Sequence, residues 1–458
     1  MNEKIWIIGC NTAGTSAAIW GRKINRHAEI NIIDKEKYTE YSRCGLPYAI
    51  SGEIPSFDNL VLHTVSWYTK ILKANVYLTS EVKKINIRNQ TIVFENTQSK
   101  EVREEPYDKL IIATGSIPKV PPIKGVLDTK GVFFLKTMDD ARKIKETAAA
   151  AKHVTIIGAG LIGVELAEAF HALGLNITII EFLPSVLPIM IDPDMSRVLY
   201  TKMEEEKIKV ILNTAAKEVF NDNDKVKIIA EHRETGEVYE IESDLVIVST
   251  GMAPNVSLAK DAGIELGALG GIKVNEKMET NVDNIYAAGD CVETTNLITK
   301  KPFISGLGTI AARQGRVAGM NAMGGDVSFP GAIAARVTKL FGYEIAATGL
   351  TSYDAERNGI DIISARIKGY DREEYYPDKQ QNIVKLIVNK GTQKLIGGQI
   401  IGRGASHRIN ILTATIMHNL SLDDIINLET NYAPPIAPVW DPVAIAAMTV
   451  KSKLERKK

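Results

Sequence analysis

Short runs of consecutive apolar residues, more than alternating ones, punctuate this chain. In Lys4-Ile5-Trp6-Ile7-Ile8 the run is continuous, the signature of a strand buried on both faces of a parallel sheet. Gly9-Cys10-Asn11-Thr12-Ala13-Gly14 follows and turns directly into helical Thr15-Ser16-Ala17-Ala18-Ile19-Trp20; a second strand, Glu29 to Ile33, ends at Asp34. The same order of strand, glycine turn, helix and strand returns in His153 to Ile157, Gly158 to Gly163, Val164 to Leu173 and Ile177 to Ile180, ending at Glu181. A strand at Leu110-Ile111-Ile112 closes in Ala113-Thr114-Gly115, and one at Leu245 to Val248 closes in Ser249-Thr250-Gly251, so both copies of this repeat of about 150 residues end in similar punctuation. Ile285-Tyr286-Ala287-Ala288 before Gly289-Asp290 gives one more strand end, and the proline-rich stretch from Pro118 to Pro122 reads as a crossing between domains.

From about Phe329 the texture changes to alternating strands, such as Ile383 to Val388 and Ile396 to Ile401, followed by a helical stretch from Ile409 to Asn419. The pattern predicts an α/β protein with two Rossmann-like nucleotide-binding domains and a third, α+β domain at the C-terminal end. Its 458 residues are enough for two to four domains. The 55 basic and 55 acidic side chains cancel, which argues against nucleic acid or an anionic membrane as partner. No apolar run approaches the roughly 20 residues of a membrane span, and the N-terminal apolar run reads as a strand rather than a signal segment. Three cysteines at 10, 44 and 291 form no CxxC pair and cannot complete an even disulfide framework; a reducing, cytoplasmic setting is expected, with no metal site.

The second glycine turn is the fuller fingerprint. Gly158, Gly160 and Gly163 let the backbone approach a pyrophosphate, the helix end supplies free N–H groups, and Glu181 follows Gly160 by 21 residues, where a carboxylate can take both ribose hydroxyls of NADH. A 2′-phosphate facing that carboxylate costs roughly 4 kcal/mol at an effective dielectric of 20, about a thousandfold, so NADH is preferred unless a nearby lysine or arginine relieves the repulsion. The first turn carries Asn11 where the middle glycine would stand, and gains weight from Asp34, 25 residues after Gly9, and from Gly289-Asp290. Asp34 reads either as a helix N-cap or as an acceptor for a cofactor hydroxyl.

Cys44 in Ser42-Arg43-Cys44-Gly45-Leu46-Pro47-Tyr48 is the candidate for chemistry: its neighbours suggest a turn opening a helix, whose N-terminus favours thiolate. No second cysteine is near enough in sequence for a local disulfide. Near the C-terminal end, the proline-rich Asn431 to Pro442 precedes apolar Val443 to Val450 and reads as a docked, rigid segment.

Together these segments resemble the pyridine nucleotide-disulfide oxidoreductases, in particular their single-cysteine branch of NADH oxidases, NADH peroxidase, coenzyme A-disulfide reductases and NAD(P)H sulfur reductases. The resemblance rests on Cys44-Gly45-Leu46-Pro47-Tyr48, Ala113 to Gly115, Gly158 to Gly163, Ser249 to Gly251, Ala288 to Asp290, Gly315-Arg316, and Tyr432-Ala433-Pro434-Pro435 before Asp441-Pro442. It implies a three-layer ββα FAD domain at 1–115 and 250–325, an NAD domain at 116–249, and a dimerisation domain at 330–458. It also implies FAD and NADH (NADPH possible) as cofactors, and a homodimer in which Tyr432 reaches the flavin site of the second copy. The cofactor-binding residues it implies are Gly9, Asn11, Ala13, Gly14, Asp34, Lys35, Arg43, Ala113, Thr114, Gly115, Gly251, Gly289 and Asp290 with Gly158, Gly160, Ile162, Gly163 and Glu181. Catalysis falls to Cys44 and Tyr432.

Two departures bear on the acceptor. Thr12 stands where the peroxidase carries a histidine, which argues against hydrogen peroxide; Arg43 and Trp440 replace the Asn and Lys usual in coenzyme A-disulfide reductases, leaving Arg22, Lys23 and Arg43 as the basic groups for a phosphorylated thiol. The expected function is hydride transfer from NADH to FAD and onward through Cys44 to a small acceptor: a disulfide, a persulfide or polysulfide, or oxygen. The alternative is a flavoprotein reductase that serves a protein carrier such as rubredoxin or ferredoxin and leaves Cys44 idle.

Overall fold

The computed structural model describes residues 3–456 and divides into two compact units, one of residues 1–119 and 252–332, the other of 120–251 and 333–458. In the first unit the apolar runs form a five-stranded parallel sheet in the order Ile285–Ala287, Lys109–Ile112, Lys4–Ile8, Glu29–Ile33, Ala74–Tyr77. Side chains alternate across it. Ile5 and Ile7 join Ile30, Ile32 and the helices Thr12–Ile24 and Gly308–Ala322 on one face, whereas Trp6, Ile8 and Ile33 join Ile92 and Phe94 of a three-stranded antiparallel sheet on the other. This is the ββα layering, and it explains why the strands read as unbroken apolar runs: both faces are covered.

The two helices pack backbone to backbone. A methyl group built on Gly319 would lie 2.0 Å from the Ala17 carbonyl oxygen, and one on Gly315 would lie 2.1 Å from that of Ala13. Small residues at Ala13, Ala17, Ala18 and Gly21 meet Ala318 and Ala322 along the same seam. That close approach fixes where the first glycine turn sits against Gly289, whose N–H is accepted by the buried Gln314 Oε1 at 2.9 Å.

The second unit repeats the scheme. Its parallel sheet runs Lys209–Ile211, Asn176–Ile180, His153–Ile157, Leu245–Val248, Val132–Phe134, with the antiparallel sheet Thr214–Asp222, Lys225–His232, Val238–Ser243 packed against it. The C-terminal segment adds a five-stranded antiparallel sheet, Arg336–Leu340, Tyr343–Gly349, Leu395–Ile401, Gln381–Asn389, Ile362–Tyr370, on which the helices Ala405–Met417 and Pro442–Glu455 pack. The strands predicted from Ile383 and Ile396 and the helix from Ile409 are present there, the helix beginning four residues earlier.

Buried polar groups join the two parts of this unit. Asp192, almost wholly buried, accepts from the Ser352 N–H and hydroxyl and pairs with Lys385 at 2.8 Å, while Lys385 also reaches Asp194 at 2.6 Å. Each charge taken from water is thereby matched, the condition under which a buried ion pair is tolerated. Glu165, on the helix Leu161–Ala172, accepts from the Thr338 hydroxyl at 2.7 Å, and Glu168 accepts from the Phe341 N–H.

The Asn431 to Pro442 segment departs from expectation. Helix Pro442–Glu455 is docked through Val443, Ala446, Ala447 and Val450, and Asp441 before it is buried against Arg408 at 2.7 Å, but the side chains of Tyr432, Ile436, Val439 and Trp440 are exposed within this chain, with only Ala437 between them buried. The apolar run after it was the signal that misled, because burial of a helix says nothing of the chain leading into it. No helix among the described residues is long and apolar enough to cross a membrane.

Two outcomes test this packing. Gly319→Ala should cost about 1–3 kcal/mol by forcing the helices apart, read as a lowered urea midpoint with loss of any flavin bound by that unit. Burial pushes the Glu165 carboxyl up to about 7, with Glu168 adding to the shift and the Thr338 hydroxyl opposing it. A carboxyl raised in the folded state contributes stability that is full below its unfolded value of 4.5 and is lost as pH rises through about 7. Glu165→Gln should therefore flatten the fall in stability across that window, measured by urea unfolding at several pH values.

Candidate dinucleotide sites and the exposed cysteine

The two glycine turns are built alike, down to individual hydrogen bonds. At the first residue of each, φ is left-handed, +117° at Gly9 and +109° at Gly158. A methyl group there would strike the next strand's end, 2.2 Å from the Ala113 oxygen and 2.6 Å from the Ser249 oxygen. Only glycine meets both demands. The acid at the end of the following strand then holds the turn. Asp34 accepts from the Cys10 N–H at 2.7 Å and the Glu36 N–H at 2.9 Å; Glu181 accepts from the Ala159 N–H at 2.6 Å and the Leu183 N–H at 2.8 Å. Burial raises both carboxyls above their ordinary range, and the backbone donors oppose the shift. Asp34 is thus neither a helix N-cap nor an isolated acid: no helix begins at it, and it ties the turn to the strand end.

The turns differ at their middle residue. Gly160 is the N-cap of helix Leu161–Ala172, makes no side-chain cap, and faces open space where its Cβ would lie. With the N–H groups of the first helical turn ahead of it, this is a cradle for a pyrophosphate, so the residues fit a dinucleotide. In the first turn Asn11 caps its own helix, accepting from the Thr12 N–H at 2.7 Å, and its Nδ2 donates to the Tyr41 carbonyl at 3.2 Å. The asparagine therefore ties the turn to the chain leading to Cys44. Ala13 and Gly14 lie in the first turn of that helix, Ala13 with its Cβ against Gly289. Thr114 donates to the Asn255 carbonyl at 2.7 Å, and Ser116 to Asp290 at 3.0 Å, bringing the Ala113 to Gly115 and Gly289-Asp290 segments together as one rim.

Cys44 lies in a short 3-10 turn, Arg43–Gly45, ahead of the six-residue helix Leu46–Ser51; the Ser42 hydroxyl accepts from the Gly45 N–H, and the cysteine is exposed. Arg43 is fixed by Glu36 at 2.6 Å and the Tyr41 hydroxyl at 2.9 Å, and the Glu36 N–H is itself accepted by Asp34; Lys35, between Asp34 and Glu36 in sequence, is exposed. The other two thiols are sealed: burial and the Asp34 charge push Cys10 up to about 12, and burial pushes Cys291 up as well. Arg22 does not serve as a ligand for a phosphorylated thiol, because its guanidinium is spent on the carbonyls of Leu72, Lys73, Arg26 and Ala28. Lys23 lies over the Trp20 ring. Tyr432 is half-exposed, its hydroxyl 3.4 Å from that of Tyr375, a contact that the sequence did not indicate. Glu40 was missed as well; it is a buried acid 3.8 Å from His63, and four residues from Cys44 was the only sequence signal.

Two doubled-sheet dinucleotide modules, each with an acid-clamped glycine turn, define a protein that handles two nucleotide cofactors. The pyridine nucleotide-disulphide oxidoreductase family matches residues 3–315, and its dimerisation domain matches 336–443. The chain belongs to that family of oxidoreductases, which use FAD and NAD(P)H. It is 37% identical over 454 residues, 98% of this chain and 99% of the relative, to an NADH oxidase of Methanocaldococcus jannaschii. It is 35% identical over 456 residues, again 98% and 99%, to an NAD(P)H coenzyme A polysulfide/persulfide reductase of Pyrococcus horikoshii. Among solved structures, an NAD-dependent persulfide reductase of A. fulgidus superposes with a TM-score of 0.93 at 35% identity, covering 99% of this chain and 84% of that one.

Asp34→Ala leaves two part-buried N–H groups without their acceptor, a loss of about 1–3 kcal/mol. The expected result is FAD retention at least about tenfold weaker, read by flavin release on dilution, with the second glycine turn still able to bind ADP.

Proposed function

We propose that this protein is an NAD(P)H-driven reductase whose electrons leave through Cys44 to a small sulfur acceptor, a disulfide, persulfide or polysulfide. The observation that carries the reading is the contrast among the three thiols. Cys10 and Cys291 are buried with raised pKa values, whereas Cys44 is exposed on a turn linked through Arg43 and Glu36 to Asp34, and through Tyr41 to Asn11. The reductase and persulfide reductase names of its relatives support it.

In this reading FAD is held by the Gly9 to Gly14 turn, Asp34, Lys35, Arg43, the Ala113 to Gly115 rim, Gly251, Gly289 and Asp290, and supplies the two-electron relay between nicotinamide and thiol. NADH or NADPH is held by Gly158, Gly160, Ile162 and Gly163, with Glu181 at the ribose. The Cys44 thiolate attacks one sulfur of the acceptor, forming a mixed disulfide and releasing the other half as a thiol or hydrosulfide. The two electrons taken from the nicotinamide then cleave that bond, returning Cys44 and releasing the second half as a thiol. The domains follow the same reading: FAD at 1–115 and 250–325, NAD at 116–249 and dimerisation at 330–458.

The exposed Tyr432, Ile436, Val439, Trp440 and Tyr375 favour a homodimer that covers them, with Tyr432 reaching the second copy's flavin site in a cytoplasmic, soluble enzyme. The NADH oxidase among its relatives favours oxygen as a second acceptor, with Cys44 cycling through sulfenic acid.

Cys44→Ser should abolish reduction of disulfides and polysulfide while FAD remains bound and NADH still bleaches it anaerobically. Undiminished turnover with those acceptors would sink the thiol route and favour a protein carrier.

A further inference from the structure

The adenosine end of the second glycine turn carries a cation drawn from elsewhere in the chain. Between Glu181 and Arg197 the sequence has no lysine or arginine, so the loop that follows the ribose-side acid supplies no positive charge of its own. The hairpin between strands Lys225–His232 and Val238–Ser243 supplies one instead. Its Arg233 N–H donates to the Asn213 carbonyl at 2.7 Å, which pins the hairpin tip just past the strand Lys209–Ile211. Its guanidinium carbon lies 3.9 Å from the Phe182 ring centroid, and its Nη1 donates to the Phe182 carbonyl at 3.1 Å. Phe182 is the residue directly after Glu181, and it stays 52% exposed with the guanidinium over it.

The acid and the cation face their surroundings differently. Glu181 is 6% exposed, and each of its oxygens is already taken by a backbone N–H. Arg233 is exposed and commits one of its five N–H donors to a carbonyl, which leaves a planar, permanently charged fork at Phe182, the residue after Glu181. An aromatic ring under a guanidinium orients it without neutralising it.

We infer that Arg233 is a specificity-determining residue that receives the 2′-phosphate of NADPH, so that this site takes NADPH as well as NADH. The inference rests on the reading of Gly158 to Glu181 as the nicotinamide-nucleotide site, and it removes the preference expected from Glu181 alone: the repulsion between that carboxylate and a 2′-phosphate is offset by a guanidinium within the same few residues of space.

The test compares 2′,5′-ADP with ADP, whose difference is the phosphate itself, by calorimetry on the flavin-loaded protein and its Arg233→Ala and Arg233→Lys variants. Arg233→Ala should weaken 2′,5′-ADP about tenfold more than it weakens ADP, with the lysine variant between the two, and the ratio of kcat/KM for NADPH over NADH should fall by a similar factor. Equal weakening of both ligands, or no weakening of either, overturns the role of Arg233. Failure of wild-type protein to bind ADP at all would instead overturn the assignment of the turn as a nucleotide site, so the two failures are told apart.

Discussion

A carboxylate that accepts the N–H of the second residue in a glycine turn is the constraint on which this molecule depends, and it is used twice. Asp34 holds Cys10, and Glu181 holds Ala159, each from the end of the adjacent parallel strand. The arrangement requires a left-handed glycine at the start of the turn, because the backbone passes within contact of the next strand's end. It also requires both acids to be largely desolvated, which raises their pKa values and makes backbone donors necessary. The geometry of the helix end that would meet a pyrophosphate follows from these bonds.

Around that shared device the two modules diverge in what they leave open. The second turn keeps Gly160 bare and its helix uncapped by any side chain, an open cradle for a dinucleotide. The first spends Asn11 on capping its helix and on reaching Tyr41, so this turn is joined mechanically to the stretch of chain that carries Arg43 and Cys44. The small-residue seam between helices Thr12–Ile24 and Gly308–Ala322 then sets Gly289 against Ala13, closing the same rim from the far end of the sequence. The turn that carries Cys44 is thus tied to the first glycine turn through short, specific contacts rather than through bulk packing.

Much of this was legible in the residues. Apolar runs without alternation announced parallel strands covered on both faces, and the glycine turns with their trailing acids announced the modules, because the backbone constraints involved are local. Three features were not legible. Asp34 could be taken for a helix cap, since sequence gives an acid's position but not which N–H it faces. Arg22 could be taken for a ligand of phosphate, since two of the carbonyls that occupy it, those of Leu72 and Lys73, lie some fifty residues away in the chain. The stretch around Tyr432 looked docked because the helix after it is.

The sequence by itself determined the two nucleotide modules, the lone candidate thiol and the α+β tail, because each is written in short-range patterns of glycine, acid and apolar residues. Only the tertiary structure decided which thiols are sealed and which is open, and which charge stands beside Glu181 and Phe182. Arg233 reaches Phe182 across 51 residues of chain, and no local pattern encodes such an encounter; it is set by how an antiparallel hairpin lies against the ends of a parallel sheet.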